Sequence, residues 1–138
     1  MTIAVDFDGT IVEHRYPEIG KEVPFATATL KKLIADGHKL ILWSVREGQL
    51  LDDAITWCRQ RGVTFYAANK DFEEDTPELN KSYSRKLKAH YFIDDRNIGG
   101  LPDWGIIYEL ITRRITYATY MAEHATGTTP KRKRWWPF

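Results

Sequence analysis

Two aspartates stand one residue apart near the amino end of the chain, in Val5-Asp6-Phe7-Asp8-Gly9-Thr10, and a second acidic pair, Asp94-Asp95, follows Tyr91-Phe92-Ile93. Between them, Ser44 and Arg46 follow the apolar run Leu40-Ile41-Leu42-Trp43. Carboxylates gathered in one place repel each other unless a cation compensates them. All-oxygen ligation by a few carboxylates suits Mg²⁺, which keeps several waters and also binds substrate phosphate. A serine hydroxyl and a lysine could hold the remaining phosphoryl oxygens, and a carboxylate can itself attack phosphorus. These residue types point to metal-assisted phosphoryl transfer. A lone Asp-x-Asp is more often an acidic strand-end cap, so the positions of the other groups carry the weight.

The elements that must position them can be read from the apolar pattern. Ile3 to Val5 reads as a short buried strand, and residues i and i+2 of a strand share a face, which puts Asp6 and Asp8 together before a turn at Gly9. Residues 11–23 are polar, contain Pro17 and Gly20, and read as a loop or small hairpin. Pro24 suits the first turn of a helix whose Ala26, Leu30, Leu33 and Ile34 keep helical spacing up to Gly37. Lys39 to Trp43 is a second strand, and Leu50, Leu51, Ala54, Ile55 and Cys58 mark a second helix that Gly62 ends. Val63 to Ala67 reads as a third strand, residues 69–82 as a loop, and Tyr91 to Ile93 as a fourth strand. A long helix is expected from about Tyr108, with Gly105 to Ile107 either a fifth strand or its lead-in.

Alternating strands and helices with short connections indicate an α/β fold with a mostly parallel central sheet. Ligands of such sheets bind outside the carboxyl ends of the strands. Asp6 and Asp8, Ser44 and Arg46, and Asp94 and Asp95 each follow a strand, so three of these ends carry reactive groups.

At this point the chain resembles the haloacid dehalogenase (HAD) superfamily. Asp6-Phe7-Asp8-Gly9-Thr10 is similar to its first motif, Leu42-Trp43-Ser44 to its second, and Ile93-Asp94-Asp95 to the paired-acid form of its fourth. A lysine upstream of the last strand would be the third; Lys86 is the first choice, with Lys81 and Lys88 as competitors. The resemblance spans residues 2–100, with the motifs in order. It implies a three-layer Rossmann-like sandwich and a phosphatase that works through an aspartyl-phosphate. Asp6 would be nucleophile and metal ligand. Asp8 would be general acid, then general base, with its backbone carbonyl on the metal. Asp94 would complete a Mg²⁺ site, with Asp95 close to it, and Ser44 and Lys86 would bind the phosphoryl group. The acid at Asp8 favours phosphate esters over carbon–halogen bonds. Residues 7–43 and 45–93 leave no room for a separate cap domain, so the resemblance is to the capless branch. Substrate selection then falls to residues 11–23, to other loops or to a neighbouring subunit.

The supporting residues have competing readings. Glu13, His14 and Arg15 either contact the leaving group or form a solvated loop. Arg46 and Arg96 either bind a second anionic group of the substrate or make surface salt bridges. His38, His90 and His124 lack ligand spacing and read as structural.

With 138 residues the chain is expected to hold one core domain, residues 1–125, and a tail, residues 126–138. The hydrophobic fraction of 43% and charged fraction of 28% are those of ordinary globular proteins, and a net charge of +1 points to no particular partner. A single cysteine, Cys58, excludes an intrachain disulfide and suits a reducing compartment; it reads as a buried apolar residue. No stretch is apolar enough to span a membrane and no signal-peptide layout is present, so no membrane partner and a cytoplasmic location are expected. The tail ends in Lys131-Arg132-Lys133-Arg134-Trp135-Trp136-Pro137-Phe138. Docking on its own domain or on another subunit of a homo-oligomer ranks first for it, a free tail second and nucleic acid third. The expected substrate is a small phosphorylated metabolite such as a sugar phosphate or nucleotide. A polynucleotide end phosphatase and a non-catalytic phosphate- or metal-binding module are the rivals.

Overall fold

The computed structural model describes residues 1–72 and 86–125. The chain divides into two compact units, Met1–Trp104 and Gly105–Phe138.

The first unit is built on strands β1 (Thr2–Val5), β2 (Lys39–Leu42), β3 (Ala67–Ala68) and β4 (Tyr91–Ile93), joined into a four-stranded sheet in the order β3-β2-β1-β4. Every pairing is parallel. The expected α/β class with a parallel, Rossmann-like sheet is therefore present. β1 is interior, flanked by β2 with Val5 opposite Leu42 and by β4 with Val5 opposite Ile93. Strands covered on both faces read as continuous apolar runs, and Ile3, Ala4, Val5, Leu40, Ile41 and Leu42 are all buried. The other groups in the first unit follow from this register: residues just past Val5, Leu42 and Ile93 must emerge side by side.

Helix α1 (Ala26–Ala35) connects β1 to β2, and α2 (Gly48–Gln60) follows β2 toward β3. Both crossovers step in the same direction along the sheet, and right-handed crossovers then place both helices on one face. Ala26, Leu30 and Leu33 of α1 and Ala54 and Cys58 of α2 are buried. Burial pushes the Cys58 thiol up to about 12, the behaviour of a packed and unreactive side chain. Ala4 and Ile41 point the other way and pack with Leu87, beside Trp43, Ala89 and Phe92.

Pro24 lies just before α1 rather than in its first turn, because Phe25 adopts a left-handed conformation (φ 67°) between them. The first amides of α1 are met from the preceding loop: Glu22 Oε2 accepts from the Thr27 amide at 2.8 Å and from its hydroxyl at 2.6 Å. That loop, residues 11–23, is a small closed hairpin. Glu13 N–H donates to Lys21 O at 2.7 Å and Val23 N–H to Ile11 O at 2.8 Å.

The third strand is shorter and later than the Val63 to Ala67 reading. The Val63 amide still donates back to Cys58 O of α2 at 2.9 Å, so Val63 belongs to the helix cap and only Ala67 and Ala68 pair with β2.

The second unit contains the rest of α3 (Trp104–Arg113) and α4 (Tyr117–His124). No fifth strand forms at Gly105 to Ile107, since α3 already begins at Trp104. Trp104, Ile107 and Ile111, spaced for one helical face, are buried. A left-handed Arg114 (φ 56°) ends α3, and Thr116 caps α4 by accepting from the Thr119 amide at 3.1 Å. Arg113 bridges the two helices, with 2.9 Å to Glu109 Oε2 and 2.7 Å to Glu123 Oε2. No helix among the described residues is long and apolar enough to cross a membrane. Lys81 and the tail, residues 126–138, lie outside the described residues.

Candidate functional site

β1 and β4 end in register at Val5 and Ile93, and the Asp6 amide donates to Ile93 O at 2.9 Å. Asp6 and Asp94 are thus adjacent because the ladder makes them so. Asp95 joins them through the turn that follows β1. Gly9 there has φ 87°, and a Cβ on it would come 2.8 Å from Asp95 Cγ. Thr10, wholly buried, links the pair: its hydroxyl lies 2.9 Å from Asp6 Oδ2 and 3.2 Å from Asp95 Oδ1, and it accepts from the Asp95 amide at 3.0 Å. Trp104 holds the same turn from behind, donating from Nε1 to Thr10 O at 3.2 Å.

Asp6, Asp94 and Asp95 each offer a carboxylate oxygen within 4.8 Å of the others, an arrangement that could hold a metal ion. Burial raises Asp6 to about 7, and its contacts with Asp95 and the charge of Asp94 push the same way, while Thr10 opposes them. A divalent cation would remove that penalty, so the donor set fits one. Asp95, expected only near the metal, is a full member of this trio. The Asp8 carboxylate, by contrast, is outside it.

Asp8 instead pairs with Arg46. The guanidinium donates from Nε to Asp8 Oδ2 at 2.7 Å and from Nη2 to Asp8 Oδ1 at 2.8 Å. Arg46 is wholly buried, so neither a substrate anion nor a surface salt bridge describes its role. The bonds to Asp8 raise its pKa against the opposing effect of burial.

The ends of all four strands frame a cavity of about 320 Å³, lined by Asp6, Asp8, His14, Trp43, Ser44, Val45, Asn69, Asp94 and Arg96. Ser44, expected at the phosphate, is in this wall. Its hydroxyl accepts from the Arg46 amide at 3.0 Å, which leaves the O–H proton to donate elsewhere. Its amide donates to Asn69 Oδ1 at 2.8 Å. Asn69, just past β3, escaped the sequence reading. Its left-handed backbone (φ 58°) aims the side chain back at the Ser44 turn. Position one residue after a strand was the available signal, hidden because the strand itself was placed too early.

Of the 13–15 group, His14 is in the cavity wall while Glu13 and Arg15 are outside it; Arg96 is in the wall. Lys86 and Lys88 are exposed and outside the wall, so the expected phosphate lysine is not brought to the cavity by either. The Lys88 amide donates to Asp71 Oδ1 at 2.7 Å. Two of the remaining histidines make main-chain-end contacts: His90 Nδ1 accepts from the Thr2 amide at 3.0 Å, and His38 Nδ1 lies 3.0 Å from the Met1 nitrogen. His124 Nδ1 is 2.8 Å from Tyr120 O.

No family model matches the chain, and no curated protein matches it. Among solved structures it is similar to the conserved protein coded by a locus of Bacteroides thetaiotaomicron. The two are 68% identical with a TM-score of 0.80, and the match covers 86% of this chain and 94% of that one.

Proposed function

The chain belongs to the same family as the conserved protein of Bacteroides thetaiotaomicron, and we propose that this chain is a capless phosphatase of HAD type acting on a small phosphomonoester. The observation that carries the reading is the placing of Asp6. It stands in a carboxylate trio suited to a cation and lines the same cavity as Ser44 and Asp8. A structural acidic cap would need no such cavity.

Asp6, Asp94 and Asp95 would hold Mg²⁺. When bound, Mg²⁺ would neutralise charge on the phosphoryl group and relieve the repulsion among the three carboxylates. An Asp6 carboxylate oxygen attacks phosphorus, the ester P–O bond breaks, and the leaving oxygen takes a proton from the Asp8 carboxyl. Water then attacks the aspartyl-phosphate, Asp8 accepts its proton, and the acyl-phosphate P–O bond breaks to release phosphate and restore Asp6. The Ser44 hydroxyl donates to a phosphoryl oxygen. A cavity of about 320 Å³ suits a sugar phosphate or nucleotide.

The test is Mg²⁺-dependent phosphate release from a panel of phosphate esters. Asp6→Asn should abolish it with the fold intact by circular dichroism. Unchanged turnover in that variant rejects the mechanism.

A further inference from the structure

Arg46 spends its donors in an unusual way. Besides the two bonds to Asp8, Nη2 donates to Glu18 O at 2.9 Å and Nη1 to Leu50 O at 3.3 Å. Its guanidinium carbon lies 5.2 Å from the ring centroids of both Phe7 and Tyr16. A flat cation contacted by two rings and two main-chain carbonyls has little rotational freedom. Its fork therefore fixes the plane of the one carboxylate it meets.

Stability alone is a weak reason for such a pair, because apolar groups of similar volume often serve a core as well or better. The pair does something that apolar groups could not. It occupies one lone-pair site on each Asp8 oxygen and leaves others on a carboxylate that lines the cavity. It also joins Asp8 to the 11–23 hairpin through Tyr16 and Glu18. The same hairpin contributes His14 to the cavity wall.

We infer that Arg46 is a positioning residue that orients the Asp8 carboxylate and ties it to the 11–23 hairpin, so that a leaving group held against His14 is sensed at the proton-handling group. The inference rests on the phosphatase reading for the role of Asp8. Arg46 acts on the substrate only through Asp8. The coupling runs through one guanidinium shared by hairpin and carboxylate.

The experiment is a mutant cycle read with p-nitrophenyl phosphate and Mg²⁺, whose leaving group needs no proton. Positioned acid–base groups contribute roughly 10²–10⁴-fold. Arg46→Lys keeps the charge and loses the fork; it should leave the nitrophenolate burst in place and lower steady-state kcat ~10-fold or more, with KM falling in step so that kcat/KM stays within about twofold. In an Asp8→Asn background the same change should alter kcat by less than about twofold, since the group it orients is gone. Tyr16→Leu, at a residue 44% exposed, should lower kcat severalfold and again only when Asp8 is present. This second variant keeps the test open if Arg46→Lys fails to fold. Equal losses in both backgrounds, or a raised KM with unchanged kcat, overturn the inference and leave the phosphatase reading standing. Absence of turnover on every ester by the unaltered protein rejects both.

Discussion

The Asp95 carboxylate occupies the space that a side chain on Gly9 would need. A Cβ there would stand 2.8 Å from Asp95 Cγ, on a residue already at φ 87°. The absence of a side chain at Gly9, in the turn after β1, is thus what lets an acid from β4's far end reach Asp6. Gly9→Ala should cost about 1–3 kcal/mol through the left-handed backbone alone and displace Asp95 as well. A lowered melting temperature with weakened stabilisation by Mg²⁺ is expected. Full retention of the Mg²⁺ response would contradict the close packing.

Thr10 is the second determinant of that contact. Thr10→Val keeps its volume but removes the acceptor of the Asp95 amide and the donor between two carboxylates. Leaving such a buried polar group unsatisfied costs about 1–3 kcal/mol. Thr10→Ser should recover most of the loss in thermal unfolding. If valine and serine behave alike, the hydroxyl has no part in holding the acids.

The raised Asp6 fixes the sign of a pH effect. Its folded value, about 7, lies above the ordinary 3.8. Between these values the folded state binds more protons than the unfolded one, so cation-free stability falls as pH rises from about 4 to about 7 and levels beyond. Added Mg²⁺ should stabilise the protein little near pH 4 and most above pH 7. Melting temperatures taken across this range with chelator and with Mg²⁺ decide it; a cation effect independent of pH counts against cation binding at Asp6.

Asn69 separates backbone from side chain. Asn69→Gly keeps the left-handed conformation and loses only the bond to the Ser44 amide, whereas Asn69→Ala loses both. Under the phosphatase reading, glycine should raise KM several-fold with modest loss of stability, and alanine should add a further ~1 kcal/mol of destabilisation. Steady-state kinetics and denaturant titration of the two variants separate the effects, and equal stabilities would show that the φ of 58° carries no strain.

The parallel sheet and the acids at its edge were legible because buried strands leave uninterrupted apolar runs, and the residues after them are fixed by chain order. Chain order places Asp6, Ser44 and Asp94 at that edge. What was hidden depends on side-chain direction across long separations. Nothing local to Arg46 shows that it turns inward to Asp8, 38 positions earlier, rather than outward to a substrate. Asp95 could be placed near Asp94 by chain order, but its place in the carboxylate trio depends on the Gly9 gap. The α3 start was readable from the spacing of Trp104, Ile107 and Ile111, but the apolar Ile106-Ile107 pair also suits a strand. Short apolar runs do not separate the two.

The register of β1 against β4 has a dynamic consequence. The last described bond of that ladder, from the Asp6 amide to Ile93 O at 2.9 Å, sits at the point where Asp6 and Asp94 begin to repel. A cation held by the trio would offset that repulsion and so favour the closed seam. The hydrogen-exchange rate of this single amide would then report on charge balance at the edge, slow when a cation offsets it and fast when none does.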